Sequence, residues 1–160
     1  MIKQRKDILI VILFLLLVSL ISAYIIEYIL KQEPCKLCIY QRFPYFVSIL
    51  LLLNILLLRK YIKQCLLILS LVSLCGSAIA FYHFGIEQGF FNESLVCETK
   101  DLDQNLSKEE VLKQLKENTI SCKNVTFRVF GLSLASINTI FSFVLFFIFI
   151  RIYKNYEINR

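Results

Sequence analysis

Charged residues are missing from long stretches of this 160-residue chain, which also has no Trp, only two Pro and only four Gly. A chain that is 58% hydrophobic in such uninterrupted runs is too apolar for a soluble domain of this size. Four runs approach the length of a membrane-crossing helix: Ile8 to Leu30, Pro44 to Leu58, Cys65 to Phe84 and Leu132 to Ile150. The composition therefore excludes a soluble globular protein and predicts an all-α membrane protein built as a four-transmembrane-helix bundle.

Two motifs that cysteine-containing proteins often carry are also absent. The chain has no Cys-x-x-Cys-His, so covalent haem attachment is not indicated. It has one closely spaced pair, Cys35 and Cys38, and no second such pair to complete a four-thiolate zinc site. We therefore expect no metal centre. The net charge of +6 is largely explained by basic anchors beside the membrane spans, so no nucleic-acid partner is expected.

The second run is short and reaches membrane-spanning length only if it also takes in residues 39–43. The expected spans are thus 8–30, 39–58, 65–84 and 132–150, in a single membrane domain that covers residues 1–160. Lys and Arg are densest in the two tails and in the connection 59–64, which predicts that both termini are cytoplasmic. The connections 31–38 and 85–131 then face outward. The first run continues past Ala23 to Leu30, so we expect a retained span and not a cleaved signal peptide.

Four of the six cysteines fall in the two outward connections, where disulfides persist: Cys35, Cys38, Cys97 and Cys122. They allow three pairings, of which Cys35–Cys38 with Cys97–Cys122 is the most economical, because each bridge then stays within one connection. A structural role for Cys97–Cys122 remains open. It is a weak explanation for Cys35–Cys38, because closing so small a ring removes little entropy from the unfolded chain.

The two remaining cysteines, Cys65 and Cys75, lie in the third run. Ten residues on one helix separate their backbones by about 15 Å, which is too far for a disulfide. We expect both to be small apolar packing residues.

The longer outward connection contains a helix signal. Ser107 and Glu110 form a capping box, and Leu106 and Val111 occupy the positions of a hydrophobic staple. Apolar residues then recur at helical spacing until Asn118, a plausible stop. This pattern predicts a short amphipathic helix that rests on the membrane surface or on the other connection.

Two residues besides the cysteines are candidates for chemistry. Arg42 follows Cys38 by four residues, so the two share a face of a helix that begins near Cys38, where the guanidinium would favour a thiolate or donate hydrogen bonds to a ligand. His83, the single histidine, lies near the outer end of the third span and is a candidate proton donor. Glu27 is expected near the outer interface, close to Lys31 at i+4 spacing.

Three segments resemble the bacterial DsbB family of disulfide-generating membrane proteins. The most specific is Glu33-Pro34-Cys35-Lys36-Leu37-Cys38-Ile39-Tyr40-Gln41-Arg42. Supporting matches are Tyr82-His83-Phe84-Gly85-Ile86-Glu87-Gln88-Gly89-Phe90-Phe91 and Phe130-Gly131-Leu132-Ser133. The chain departs from the family at Phe90 and Phe91, where Trp is common, and at Ser94-Leu95-Val96, where a Pro is often found. The resemblance covers essentially the whole chain and implies a multi-pass protein of the bacterial inner membrane with two periplasmic loops.

The resemblance also implies an oxidase relay. A periplasmic DsbA-like oxidant of the thioredoxin fold would attack Cys97, and the released Cys122 would attack Cys35. Cys38 would then face a bound quinone, ubiquinone or menaquinone, that passes electrons to the membrane quinone pool. Arg42 and His83 become the expected quinone-binding residues.

Three alternatives remain. A vitamin-K-epoxide-reductase-like protein carries its long-loop cysteines before the Cys-x-x-Cys, the reverse of the order here. A DsbB paralogue dedicated to one client oxidant fits the sequence equally well. A non-enzymatic membrane scaffold with structural disulfides would keep Cys35–Cys38 oxidised and inert.

Overall fold

The computed structural model describes residues 2–92, 122, 128–129 and 131–158, and its architecture is a bundle of four long helices. Helix α1 is Ile2–Tyr28, α2 is Lys36–Leu53 with a π-helical continuation over Asn54–Leu58, α3 is Ile62–Glu87 and α4 is Leu134–Ile158. All four are long and apolar enough to cross a membrane. The predicted four-helix membrane bundle is confirmed. The predicted loop helix over residues 107–118 and the site residue Cys97 lie outside the described residues.

Each helix extends past at least one end of the span predicted for it, but α1 ends at Tyr28 and α4 begins at Leu134, each two residues inside the expected span. Helix α2 begins at Lys36, three residues before the expected start, because Cys35 serves as its N-cap. Helix α4 begins at Leu134, after a short antiparallel pair of strands, β1 (Arg128–Val129) and β2 (Leu132–Ser133), that the sequence did not predict. Ser133 then caps α4, since its hydroxyl oxygen accepts a hydrogen bond from the backbone N–H of Ser136 at 3.2 Å.

Helix α3 is the central helix and packs against both α2 and α4. Its buried face carries small residues at helical spacing, namely Ser70, Ser73, Gly76, Ser77 and Ala80. Because lipid is as apolar as the helices, membrane helices associate by close packing, and small residues allow that approach. A Cβ atom at Gly76 would lie 3.2 Å from Cβ of Pro44. Helices α2 and α3 therefore cross closely at this point, which holds the start of α2 beside the end of α3.

Two groups of buried side chains fill the bundle. The larger is built around Leu16, Leu52, Leu66, Leu69 and Phe149. The smaller contains Cys35, Leu37, Ile86 and Cys122, with Tyr82 packed against it. We call the end of the bundle that holds this smaller group the cysteine end. Many other large apolar side chains of the four helices are exposed, as expected for a surface that faces lipid.

Candidate active site

Cys35 and Cys38 lie at the N-terminus of α2. The Cys35 backbone is extended (φ −66°, ψ 164°), and its sulfur accepts a hydrogen bond from the backbone N–H of Cys38 at 3.3 Å. The two sulfurs are 2.8 Å apart and share a hydrogen bond. Both are free thiols. The structure thus shows the pair in its reduced form, with the sulfurs already placed for a disulfide to form by a small movement.

Cys35 is the more acidic position of the reduced pair. The hydrogen bond that it receives from the Cys38 thiol lowers the pKa of Cys35 from 9.0 to about 5. Burial opposes this shift in pKa, and a hydrogen bond from His83 adds to it. Cys35 is therefore a thiolate at neutral pH when the pair is reduced. The sequence analysis predicts a thiolate at Cys38, but for another redox state of the protein, the one in which Cys35 is bonded to Cys122.

Cys122 reaches the same place from the long connection. Its side chain is only 2% exposed and its sulfur belongs to a disulfide. The sulfurs of Cys35 and Cys122 and a ring nitrogen of His83 all lie within 4.8 Å of one another. A sulfur held in a disulfide is not the thiolate that a metal ion takes as a ligand, so this arrangement suits thiol–disulfide exchange better than metal binding.

His83 lies between the cysteines and an acidic residue. Its Nε2 atom is 3.5 Å from the Cys35 sulfur and 3.6 Å from Oε1 of Glu87, one helical turn further along α3. The second carboxylate oxygen of Glu87 is buried and has no hydrogen-bond partner among the described residues. His83 and Glu87 therefore form a buried pair beside the reactive sulfur. Their i, i+4 spacing was visible in the sequence, but Glu87 was not singled out there.

Arg42 is held by helix α1. Its guanidinium donates to Oε2 of Glu27, and it lies over the ring of Tyr24 at 4.9 Å from the centroid. The sequence predicts Lys31 near Glu27, but the backbone of Lys31 is left-handed (φ 52°) and its side chain is exposed, and the ion pair of Glu27 is with Arg42 of α2. The ion pair joins α1 to α2 within the membrane span, where a lone charge is costly.

Three uncharged polar residues complete the site, and sequence reasoning missed all of them. Gln41 is buried, and its side-chain nitrogen is 2.9 Å from Nδ1 of His83. The side-chain nitrogen of Asn138 on α4 donates to Oε1 of Gln41 at 2.7 Å. The Tyr45 hydroxyl donates to Oδ1 of Asn138. The available signal was a polar side chain inside an apolar run, which the search for charged residues passed over.

A cavity of about 490 Å³ opens among the four helices at the cysteine end. Its wall includes Cys38, Arg42, His83 and Glu27 together with apolar side chains of α1 and α4 such as Ile26 and Phe141. An apolar chamber of this size with a few convergent polar groups is typical of a small-molecule site. The structure thus brings five of the six predicted site residues to one place, and the sixth, Cys97, lies outside the described residues.

The low pKa of Cys35 leads to a testable pH dependence. Because only the thiolate reacts, alkylation of Cys35 in the reduced protein is expected to be half-maximal near pH 5 and flat above about pH 6. Trypsin cleavage at Lys31, Lys36 and Arg42 places Cys35 and Cys38 in different peptides, so mass spectrometry of pulse-alkylated protein reads each thiol separately.

The same chain in denaturant provides the control, since the unfolded Cys35 lacks the Cys38 and His83 contacts. Its alkylation midpoint is expected to rise to about pH 8.5. A folded protein whose Cys35 also titrates there would show that these contacts do not stabilise the thiolate.

A bundle of membrane-length helices that holds a Cys-x-x-Cys pair beside a disulfide-bonded loop cysteine defines a membrane thiol–disulfide oxidoreductase. A family model described as disulfide bond formation protein DsbB matches residues 5–152. The chain belongs to the DsbB family, so the resemblance seen in the sequence is confirmed. It is also similar to the uncharacterized protein RP370 of Rickettsia prowazekii (strain Madrid E), with 30% identity over 146 residues, which cover 89% of this chain and 85% of that relative.

Proposed function

We propose that this protein oxidises a soluble thioredoxin-fold partner of the DsbA type and passes the two electrons to a membrane quinone. The observation that carries the proposal is that three cysteines meet on the wall of the cavity, where the sulfur of Cys35 lies within 4.8 Å of the Cys122 sulfur and 2.8 Å from the Cys38 sulfur. The loop disulfide thus lies next to the Cys-x-x-Cys pair, and that pair lies next to a chamber for an electron acceptor. A protein with structural disulfides alone has no use for the last two.

The exchange begins at Cys97, which we propose as the disulfide partner of Cys122 because the other four cysteines are free thiols. A thiolate of the partner attacks the Cys97 sulfur, which forms a mixed disulfide and releases Cys122 as a thiolate. Cys122 then attacks Cys35 of an oxidised Cys35–Cys38 pair. A Cys122–Cys35 bond forms, the Cys35–Cys38 bond breaks, and Cys38 leaves as a thiolate. The second partner thiol then attacks the mixed disulfide, so the partner leaves oxidised and Cys97 is released as a thiolate. Cys97 attacks Cys122, which re-forms the Cys97–Cys122 disulfide, breaks the Cys122–Cys35 bond and releases Cys35. The Cys35–Cys38 pair is then reduced, and two electrons and two protons have entered the protein.

The residues around the cavity fit a quinone. The apolar wall suits its ring and tail, and Arg42 and His83 line the space in which its carbonyl oxygens would be bound. A quinone bound there would accept the two electrons and two protons that leave when the Cys35–Cys38 disulfide re-forms. His83 and Glu87 lie beside Cys35 and are the proposed route for these protons. Ubiquinone and menaquinone share the groups that this site would recognise.

We further propose that the cysteine end faces the periplasm of a bacterial inner membrane and that both termini are cytoplasmic. Arg59, Lys60 and Lys63 lie at the opposite end of the bundle, and Lys63 sits over the ring of Tyr153 near the end of α4, 5.7 Å from its centroid. The basic residues of the connection 59–64 thus lie at the same end of the bundle as Arg151 and Lys154 of α4, which supports a cytoplasmic face there.

Quinone absorbance provides the test of this function. Purified protein supplied with a reduced DsbA-type protein and a soluble quinone analogue is expected to reduce the quinone catalytically. The Cys38→Ser variant is expected to lose roughly 10³-fold or more of this rate, because the sulfur on the cavity wall is gone.

Cys75→Ser is the matched control, since Cys75 is a free thiol exposed on the outer surface of α3. It is expected to keep the wild-type rate. Absence of quinone reduction by the wild-type protein, or equal rates in wild type and Cys38→Ser, would contradict the proposal and favour the non-enzymatic scaffold.

A further inference from the structure

A chain of side-chain hydrogen bonds crosses the bundle from α4 to the reactive sulfur. The hydroxyls of Tyr45 and Ser142 both point to Oδ1 of Asn138, the latter at 3.3 Å. Nδ2 of Asn138 donates to Oε1 of Gln41 at 2.7 Å, and Nε2 of Gln41 is 2.9 Å from Nδ1 of His83. Nε2 of His83 in turn faces the Cys35 sulfur at 3.5 Å.

The two amides give this chain a direction. An amide NH₂ group only donates and an amide oxygen only accepts, so each link fixes the next. With the Gln41 nitrogen facing it, Nδ1 of His83 must accept, and the ring proton is on Nε2. Turning one amide alone would place two NH₂ groups or two oxygens against each other. Both amides must therefore turn together before Nδ1 can carry a proton.

We propose that Asn138 and Gln41 are positioning residues that keep the His83 proton on Nε2, where it is donated to the Cys35 sulfur. An N–H at this place stabilises negative charge on Cys35, which is needed when Cys35 acts as nucleophile or leaving group in exchange with Cys122. Asn138 contacts neither His83 nor Cys35 in any hydrogen bond of the structure, so it acts through Gln41 alone. The significance of this inference rests on the proposed relay, but its test requires neither a quinone nor a partner.

Several groups face Cys35, and the experiment must distinguish the effect of His83 from the effects of the others. Cys38 on α2 donates a hydrogen bond to it, His83 on α3 faces it, Glu87 lies beyond His83, and the Cys122 sulfur is close by. Only His83 is linked to α4 through the two amides. A change at Asn138 that alters Cys35 is therefore transmitted through the ring of His83.

The experiment measures the pH dependence of Cys35 alkylation in reduced, full-length protein, with the tryptic peptide of Cys35 as the readout. Asn138→Leu removes the middle of the chain and is expected to raise the midpoint by about one pH unit, because His83 no longer holds its proton toward Cys35. Gln41→Leu is expected to give a similar rise. The double variant is expected to rise no further than Gln41→Leu, since both residues act through one path.

Thr139→Val is the control on the same helix, because among the described residues the Thr139 hydroxyl bonds to the carbonyl of Ala135 within α4 and to no side chain of the hydrogen-bond chain. It is expected to leave the midpoint unchanged. A wild-type midpoint in Asn138→Leu, or additive shifts in the double variant, would overturn the inference. If Asn138→Leu does not fold, a wild-type midpoint in Gln41→Leu would also overturn the inference. If the midpoints shift as expected but the protein does not reduce quinone, the proposed function would be rejected and the positioning role would stand.

Discussion

Replacing Cys122 with serine is expected to stop partner-driven quinone reduction, by roughly 10³-fold or more, while the reaction driven by a small dithiol continues. The reason for this loss is the position of Cys122. Cys122 is the loop sulfur that the structure places within 4.8 Å of the Cys35 sulfur, so it is the proposed bridge that carries electrons from the loop disulfide to the Cys35–Cys38 pair. Dithiothreitol needs no such bridge, because it is small enough to reduce the Cys35–Cys38 disulfide through the cavity on whose wall Cys38 lies.

The two electron donors make the result specific. Cys122→Ser with dithiothreitol is expected to reduce quinone within about twofold of wild type, which shows that the Cys35–Cys38 pair and the cavity are intact. Loss of both reactions would point to a folding defect, which a melting curve would reveal. If a folded Cys122→Ser protein still accepted electrons from the partner at the wild-type rate, Cys122 would not be the bridge.

The helices and the cysteine motif could be predicted because they depend on local sequence. Uncharged runs of about 20 residues predict spans, and Cys35 and Cys38 are close by spacing alone. The i, i+4 pair of His83 and Glu87 was equally readable, since both residues lie on one helix. Contacts between helices could not be read from the sequence. Glu27 was expected near Lys31, its neighbour in sequence, whereas packing of α1 on α2 brings it to Arg42.

Asn138 illustrates a second limit of predicting the site from the sequence. It lies in a run recognised by its lack of charge, and an uncharged amide does not interrupt such a run. Its role depends on Gln41 and Tyr45 of α2, which are far from it in sequence and meet it only in the folded bundle. Buried amides in a membrane helix should accordingly be treated as candidate site residues from the start. The nearness of Cys122 to Cys35 was implied by the family resemblance and by no local signal.

We propose that the Arg42–Glu27 pair has both a structural and a functional role, and a pair of substitutions separates the two roles. Arg42→Met leaves the carboxylate of Glu27 without its partner in a largely buried place. We expect a loss of stability on the order of 3 kcal/mol, because an unpaired charge remains in the span. We also expect the KM for quinone to rise about tenfold, because a charged hydrogen-bond donor is lost from the cavity wall.

The double variant Arg42→Met, Glu27→Met removes both charges and is expected to recover at least about half of the lost stability, since no unpaired ion is left in the membrane. The KM for quinone is expected to stay high, because the guanidinium is still absent. Thermal unfolding in detergent and initial rates at varied quinone concentration measure the two quantities on the same samples. If the double variant regained the wild-type KM together with its stability, Arg42 would serve only to join α1 to α2, and quinone recognition would have to rest on His83 and the apolar wall.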